Sequence, residues 1–391
     1  MPSNSPKSKK SSIVAEYLDR VSPRHDAMLA TLRELVELES PSHNKAAVDA
    51  LGQVLGKKFE ELGGEVQFHP SLNFGNHIQV DFPGREAGRK PIMLLGHFDT
   101  VWDVGTLKQM PFKVEGKKAA GPGIFDMKGG IVIMMEAIRA VQELRGALPR
   151  PVAVLLNSDE EVGSDSSRPI TEGLAKESEA VLVLEPSGSD GAAKTARKGV
   201  GDYTVRVTGV PSHAGLDFEK GQSAIVELSR QILAMTKFVD LKRGITVNPG
   251  VIRGGTRTNV VAAEAEVDVD IRIAKMSDAK PLERRFRGLR AFNKKCKLEV
   301  AGGINRPPLE KTKASAALYD LARGLAAEGG WKLREVAVGG GSDGNFTSGL
   351  GIPTLDGLGA VGDGAHAKHE HVVITELPRK AALIAALLER I

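Results

Sequence analysis

Cysteine is almost missing from this chain: Cys296 is the only one in 391 residues. That excludes an intrachain disulfide and a cysteine-built metal cage, so any metal has to be held by His, Asp and Glu. Long apolar runs are missing as well. Nowhere do the roughly eighteen consecutive apolar residues of a membrane-spanning helix occur. The opening Met1-Pro2-Ser3-Asn4-Ser5-Pro6 has no apolar stretch behind it of the kind a secretory signal needs. A cytoplasmic protein with no membrane partner is therefore expected. An excess of one charge is also lacking: 53 basic against 49 acidic residues leave a formal +4. With Lys and Arg scattered along the chain, and only the tail Lys7-Ser8-Lys9-Lys10 locally basic, no nucleic-acid partner is expected. There is no internal repeat or low-complexity tract. At 41% hydrophobic and 26% charged residues the composition is that of an ordinary soluble protein, long enough for two or three domains.

Apolar periodicity predicts helix over 12–39, interrupted at Ser22-Pro23, and again from Lys45 to Leu62, closed by Gly63-Gly64. Strands are predicted at 65–69 and 77–82, then a buried one over Pro91 to Leu95. That last strand runs into Gly96-His97-Phe98-Asp99-Thr100. Because side chains alternate along a strand, His97 and Asp99 point the same way. Taken alone, such a His-x-Asp is as readily an ordinary turn. The glycine-rich loop Ala119 to Gly130 carries Asp126 just ahead of a helix with Ile131, Met134, Met135, Ile138 and Val141 on one face. Aspartate there also fits a capping role.

Two further apolar runs end in acid. Val152 to Leu156 leads into Asp159-Glu160-Glu161, and Ala180 to Leu184 leads into Glu185. Three adjacent acids at the end of a buried strand repel one another unless a cation lies among them. Sites in open α/β sheets are built at the carboxyl ends of strands. From about Gly199 the pattern becomes strand, helix, strand, strand, helix, strand, a self-contained βαββαβ unit of the ferredoxin-like kind. The expected organisation is a first domain in two segments, 1–198 and 309–391, with an inserted second domain over 199–308. The first domain should be a three-layer helix/sheet/helix α/β domain.

Taken in order, His97-x-Asp99, Asp126, Glu160-Glu161, Glu185 and His366 resemble the co-catalytic dizinc amidohydrolases, the family of glutamate carboxypeptidase, acetylornithine deacetylase, succinyl-diaminopimelate desuccinylase and the aminoacylases. The resemblance extends from about residue 30 to the end and includes the inserted domain over 199–308, which looks like the family's lid and dimerisation domain, so that 1–198 and 309–391 would be the two catalytic segments. It implies that Asp126 bridges two metal ions, with His97 and Glu185 completing one site and Glu161 and His366 the other. Two Zn²⁺ per chain are implied, with Co²⁺ or Mn²⁺ as possible substitutes. Two divalent cations, three carboxylates and one hydroxide sum to zero charge, which a partly buried cluster tolerates.

The same resemblance implies that Glu160 is the general base, that Asp99 orients His97, and that the peptide after Asp126 is cis. His366 is preferred over His369 and His371 because Gly364-Ala365-His366 with Glu370 four residues on fits the family's closing motif; His25, His43, His69 and His77 match no motif. In the inserted domain His213 looks like the histidine that reaches a neighbouring subunit's site. Asn259 and Arg272 look like a substrate clamp, with Arg197, Gly340 and Gly341 as weaker contacts. A guanidinium suits a free carboxylate on the substrate, although Arg272 could equally pair with Asp268 or Asp270.

The implied activity is hydrolysis of an amide bond in a dipeptide-like or N-acyl amino acid bearing a free carboxylate. Glu185, where the aminopeptidase branch has aspartate, and the stretches around Asp159-Glu160-Glu161 and Gly341-Ser342-Asp343 favour the glutamate carboxypeptidase branch. An N-acyl amino acid deacetylase or desuccinylase is the alternative, and a non-hydrolytic binding protein on the same scaffold is the alternative of another class. A homodimer through the inserted domain is expected.

Overall fold

A computed structural model of the chain describes residues 12–86 and 88–391, so the basic stretch at Lys7 to Lys10 lies outside the described residues. Two compact units emerge. One runs up to Thr195 and resumes over Lys311–Ala337 and Ser342–Ile391; the other comprises Ala196–Glu310 and Val338–Gly341. Among the described residues no helix is long and apolar enough to cross a membrane.

The first unit is built on a six-stranded sheet in the order Glu65–His69, His77–Phe82, Val152–Asn157, Ile92–His97, Ala180–Val183, Thr354–Leu355. The last four of these are parallel and the first two antiparallel, a mixed sheet. The central strands bury both faces, which is why they read as unbroken apolar runs. Ile92, Leu94, Val154, Leu156 and Leu182 enter one core, whereas Met93, Leu95, Leu155, Val181 and Val183 enter another. The first core is shared with helices Ile13–Val21, His25–Glu37, Lys45–Glu61, Gly129–Arg145, Lys313–Glu328 and Leu377–Arg390, and the second with Arg168–Glu177. This is the expected α/β arrangement with helices on both faces of the sheet.

The helix Gly129–Arg145 differs from expectation: it buries Ile131 to Met135 without a break, as well as Ala137, Ile138, Ala140 and Val141. It packs against Leu377–Arg390 and Ile13–Val21 as well as against the sheet, so only its last turn, where Glu143 is exposed, is open to water. Its first turn approaches the sheet so closely that a Cβ at Gly130 would lie 2.0 Å from the Leu184 carbonyl oxygen. Only glycine permits that contact.

Local periodicity does not reveal a small four-stranded sheet of Lys113–Glu115, Lys118–Ala120, His371–Val373 and Gly362–Asp363. Its strands are two or three residues long, too short to show alternation. It pairs His371 with Ala120 and so brings the loop after Gly362 to the loop that carries Asp126.

The second unit is a four-stranded antiparallel sheet in the order Thr246–Gly254, Glu264–Ile273, Gly199–Thr208, Lys297–Arg306, with helices Ala224–Thr236 and Ala279–Arg287. The chain order is βαββαβ. Tyr203, Val205, Val207, Val267, Val269 and Ile271 form its core with Leu228, Leu282 and Phe286. The opposite face carries a charged ladder in which Arg206 and Arg253 meet Glu266, and Arg253 also meets Asp268. The basic residues are less evenly spread than their scatter along the chain implies. Lys275, Lys280, Arg284, Arg285, Arg287, Arg290, Lys294, Lys295 and Lys297 are all exposed in one stretch of this unit.

Candidate metal centre

The three central strands Val152–Asn157, Ile92–His97 and Ala180–Val183 run parallel, so their carboxyl ends share one edge of the sheet. His97 closes one strand, the short turn Glu160–Val162 follows the second, and Glu185 follows the third. Asp126 reaches the same place on its loop, across a cis Asp126-Met127 peptide. His366 arrives from the loop after Gly362, in the left-handed backbone region at φ 61°. That conformation is uncommon for a residue with a Cβ, and at functional sites it is held by its surroundings.

His97 Nε2 lies 3.3 Å from Asp126 Oδ1 and 3.4 Å from Glu185 Oε1. His366 Nε2 lies 3.0 Å from Glu161 Oε2 and 3.5 Å from Asp126 Oδ2. The two oxygens of Asp126 thus face two separate histidine–glutamate pairs. Ligand atoms of His97, Asp126 and Glu161 fall within 4.8 Å of one another, as do those of His97, Glu160 and Glu185. Glu160 therefore stands at the cluster as well.

The protein alone holds these groups together with protons. Burial disfavours a charged His97, yet the hydrogen bonds to Asp126, Asp99 and Glu185 outweigh it and hold the imidazole's pKa well above its ordinary value. The hydrogen bonds to Asp126 and Glu161 hold His366 up at about 10. Burial pushes Glu161 up to about 7, against the opposing pull of His366. For Asp126 burial is overcome by the two histidines, which depress it. Carboxylates and imidazoles that share protons at about 3 Å are a donor set in which divalent cations can replace those protons. Nitrogen and carboxylate oxygen without thiolate suit Zn²⁺.

Asp99 is fully buried behind the cluster. Its carboxylate accepts from Ser42 Oγ at 2.7 Å and from the backbone N–H groups of Glu160 and Glu161 at 3.2 Å each. It also lies 3.3 Å from His97 Nδ1, which leaves Nε2 to face the other carboxylates. One residue therefore fixes both the imidazole and the acidic turn. The Ser42 contact was not foreseeable from sequence, because Ser42 sits 57 residues away in the chain. Lys128 is a second buried polar residue near the cluster in sequence that was not foreseen. Fully buried two residues past Asp126, it donates to the Leu38 carbonyl at 2.9 Å, and burial lowers its pKa to about 7.

The remaining expected residues lie in the second unit. His213 is exposed and its Nδ1 accepts from the N–H groups of Gly215 and Leu216. Asn259 is exposed. Arg272 is paired in a two-pronged contact with Asp270, at 3.0 and 2.7 Å, on the charged face of the sheet. Arg197 is buried and donates to the carbonyls of Gly340 and Gly341 at 3.3 and 3.1 Å, so it shapes that loop. His369 is exposed and His371 half-buried in its short strand, while His77 is buried against Ser166 and Ser158.

Fold and site together define a metal-dependent amide hydrolase. Peptidase family M20/M25/M40 matches residues 93–390, and the chain belongs to that family. It is 33% identical over 371 residues to carboxypeptidase G2 of Pseudomonas sp. (strain RS-16), covering 93% of this chain and 88% of that one. It is 29% identical over 258 residues to acetylornithine deacetylase of Proteus mirabilis, covering 61% of this chain and 65% of the relative. Among solved structures it is similar to a dinuclear metal binding peptidase of Bacillus subtilis, with a TM-score of 0.67 and 16% identity over 95% of this chain and all of the other.

Proposed function

We propose that the chain is a dizinc carboxypeptidase of the glutamate carboxypeptidase type, cleaving an amide bond in a dipeptide-like or N-acyl amino acid that carries a free carboxylate. The observation that carries this reading is Asp126, which offers one oxygen to His97 and the other to His366. Asp126 would bridge two ions, with His97 and Glu185 holding one and Glu161 and His366 the other. Bound there, the ions supply Lewis acidity, which polarises a carbonyl and lets water lose a proton near neutral pH.

The chain's own residues do the rest. Glu160 takes the proton from the attacking water on its carboxylate and hands it to the nitrogen of the breaking C–N bond. The products are a carboxylic acid and a free amine. Asp99 keeps His97 in the tautomer that directs Nε2 inward and pins the turn that presents Glu160. Arg272 would receive the substrate carboxylate through the N–H groups that its two-pronged contact with Asp270 leaves over, with Asp270 fixing the direction of the guanidinium. Asn259, the Arg197-braced loop of Gly340 and Gly341, and His213 are assigned to substrate contact, the last from a neighbouring subunit.

A homodimer is part of this reading. The edge strand Thr246–Gly254 exposes Val251 and Ile252, and the helix Ala224–Thr236 exposes Val226 and Leu233. Exposed apolar side chains beside an open sheet edge are what a second copy would cover. A cytoplasmic location is proposed on the likeness to acetylornithine deacetylases.

Zinc content and hydrolysis of a panel of N-acyl glutamates, dipeptides and N-acetylornithine, with and without chelator, test the proposal. Two zinc ions per chain, chelator-sensitive cleavage of the glutamate compounds, and a Glu160→Ala variant that binds zinc but is inactive are the expected results. Cleavage of N-acetylornithine alone would move the assignment to the deacetylase branch. Absence of both metal and hydrolysis would return it to a binding protein, and hydrolysis indifferent to Glu160 would remove that residue from the role of general base.

A further inference from the structure

Glu370 is completely buried, and no part of the mechanism above uses it. Its Oε1 accepts the backbone N–H groups of Phe125 at 2.9 Å and Asp126 at 3.1 Å. Its Oε2 accepts the N–H of Gly123 at 3.0 Å and the indole N–H of Trp102 at 2.8 Å. Each oxygen therefore takes two donors. Three of the four come from the loop that presents Asp126, one of them from Asp126 itself. The fourth comes from the segment just after His97-x-Asp99, and Glu370 follows His366 by four residues. A single carboxylate thus ties together the stretches of chain that supply three candidate ligands. The adjoining pairing of His371 with Ala120 sets the register of the two loops but leaves these N–H groups without strand partners. A neutral side chain cannot replace the carboxylate, because glutamine offers one acceptor oxygen and would turn an NH₂ towards the other two donors.

We propose that Glu370 is the positioning residue for Asp126: it holds the loop so that the two carboxylate oxygens face His97 and His366, and it thereby sets the affinity of the centre for divalent cations. This rests on the metal-centre reading above. Residues that support a metal ligand in this way typically change affinity about 10- to 100-fold when altered.

The test is a titration of chelator-stripped, full-length protein with Zn²⁺ against a competing chromophoric chelator. Glu370→Gln is expected to bind zinc at least about tenfold more weakly, with KM close to that of the unaltered protein once zinc is saturating. Glu370→Asp should recover part of the lost affinity. Zinc affinity of Glu370→Gln within about twofold of the unaltered protein, even with a lower melting temperature, would overturn the proposal and leave Glu370 as a support for loop folding alone. Should Glu370→Gln fail to fold, Trp102→Phe removes one donor and keeps the carboxylate; a loss of affinity of up to roughly fivefold is expected, and none at all would overturn the proposal. Unaltered protein that takes up no zinc would instead sink the metal-centre reading itself, so the two failures are distinguishable.

Discussion

Asp99→Asn removes a charge while nearly preserving shape, and its cost follows from the hydrogen bonds. Oδ1 of Asp99 faces the Glu160 N–H and His97 Nδ1, and Oδ2 faces the Glu161 N–H and the Ser42 hydroxyl. An asparagine has two orientations. With its oxygen in the Oδ1 position, its NH₂ points at the Glu161 N–H; with its oxygen in the Oδ2 position, its NH₂ points at the Glu160 N–H. Either orientation leaves a donor facing a donor. The Ser42 hydroxyl can turn to accept, but a backbone N–H cannot. One hydrogen bond to a charged acceptor is lost and one partly buried N–H is stranded, which together cost about 2–3 kcal/mol. His97 keeps a second contact from Nδ1 to the Asp99 backbone oxygen at 3.1 Å, so its ring should not swing free. The expected result is a loss of about 2–3 kcal/mol in denaturant unfolding of the zinc-free protein, and about 10- to 100-fold weaker zinc binding because the Glu160-Glu161 turn is no longer pinned. A loss below about 0.5 kcal/mol with unchanged zinc affinity would refute the reasoning, since it would mean that the turn does not depend on this carboxylate.

Lys380 is buried, donates to the Gly191 carbonyl at 3.0 Å, and has its pKa lowered by burial to about 8. The unfolded chain keeps that proton up to about pH 10.4, so stability should rise between about pH 8 and pH 10.4, by an amount on the order of 3 kcal/mol. Unfolding measured across that window should show the rise, and Lys380→Met should remove its share of it, leaving the part contributed by Lys128, whose buried ammonium is lowered to about 7. Gly130→Ala drives a methyl against the Leu184 carbonyl and should cost about 2–3 kcal/mol, read as a lower melting temperature. Arg272→Met should raise KM more than tenfold for a carboxylate substrate while sparing kcat and leaving an amide-capped analogue unaffected, the pattern of lost uniform binding. An unchanged KM with only a small stability loss would make Arg272 a partner of Asp270 and nothing more.

The parts of the fold that were legible in sequence are those in which one segment's burial decides its pattern. The runs at Ile92, Val152 and Ala180 are apolar throughout because each strand is covered on both faces, and each ends in, or within a few residues of, a residue that reaches the site. In the inserted unit the alternation from Tyr203 to Val207 and from Ala265 to Ile273 reflects one covered and one charged face. What stayed hidden depends on pairing between distant segments. The short strands around Ala119 and Val372 have no periodicity to read. The contact of Ser42 with Asp99 closes a long loop, and nothing in either neighbourhood announces it. Glu370 was visible as part of a motif, but four donors converging on it are visible only in three dimensions. The one-sided pattern of Gly129–Arg145 understated its burial because the helices packed over it come from the two ends of the chain.

These differences divide the metal centre into two kinds of support. His97 and Glu185 stand at the ends of adjacent parallel strands whose side chains are locked in two cores, so the fold itself fixes their separation. Asp126 and His366 stand on loops outside any ladder, one crossing a cis peptide and the other holding a left-handed backbone, with only the short pairing of His371 with Ala120 nearby to set their register. Loops stay open to rearrangement unless their polar groups are satisfied. Here that satisfaction comes from buried acids beside the ligands: Asp99 for the Glu160-Glu161 turn and Glu370 for the Asp126 loop. Core substitutions beneath the strands should therefore lower stability with little effect on zinc affinity until the protein unfolds. Substitutions of the two supporting acids should lower zinc affinity in a chain that is still folded. The ratio of those two effects, position by position, separates residues that build the fold from residues that build the site.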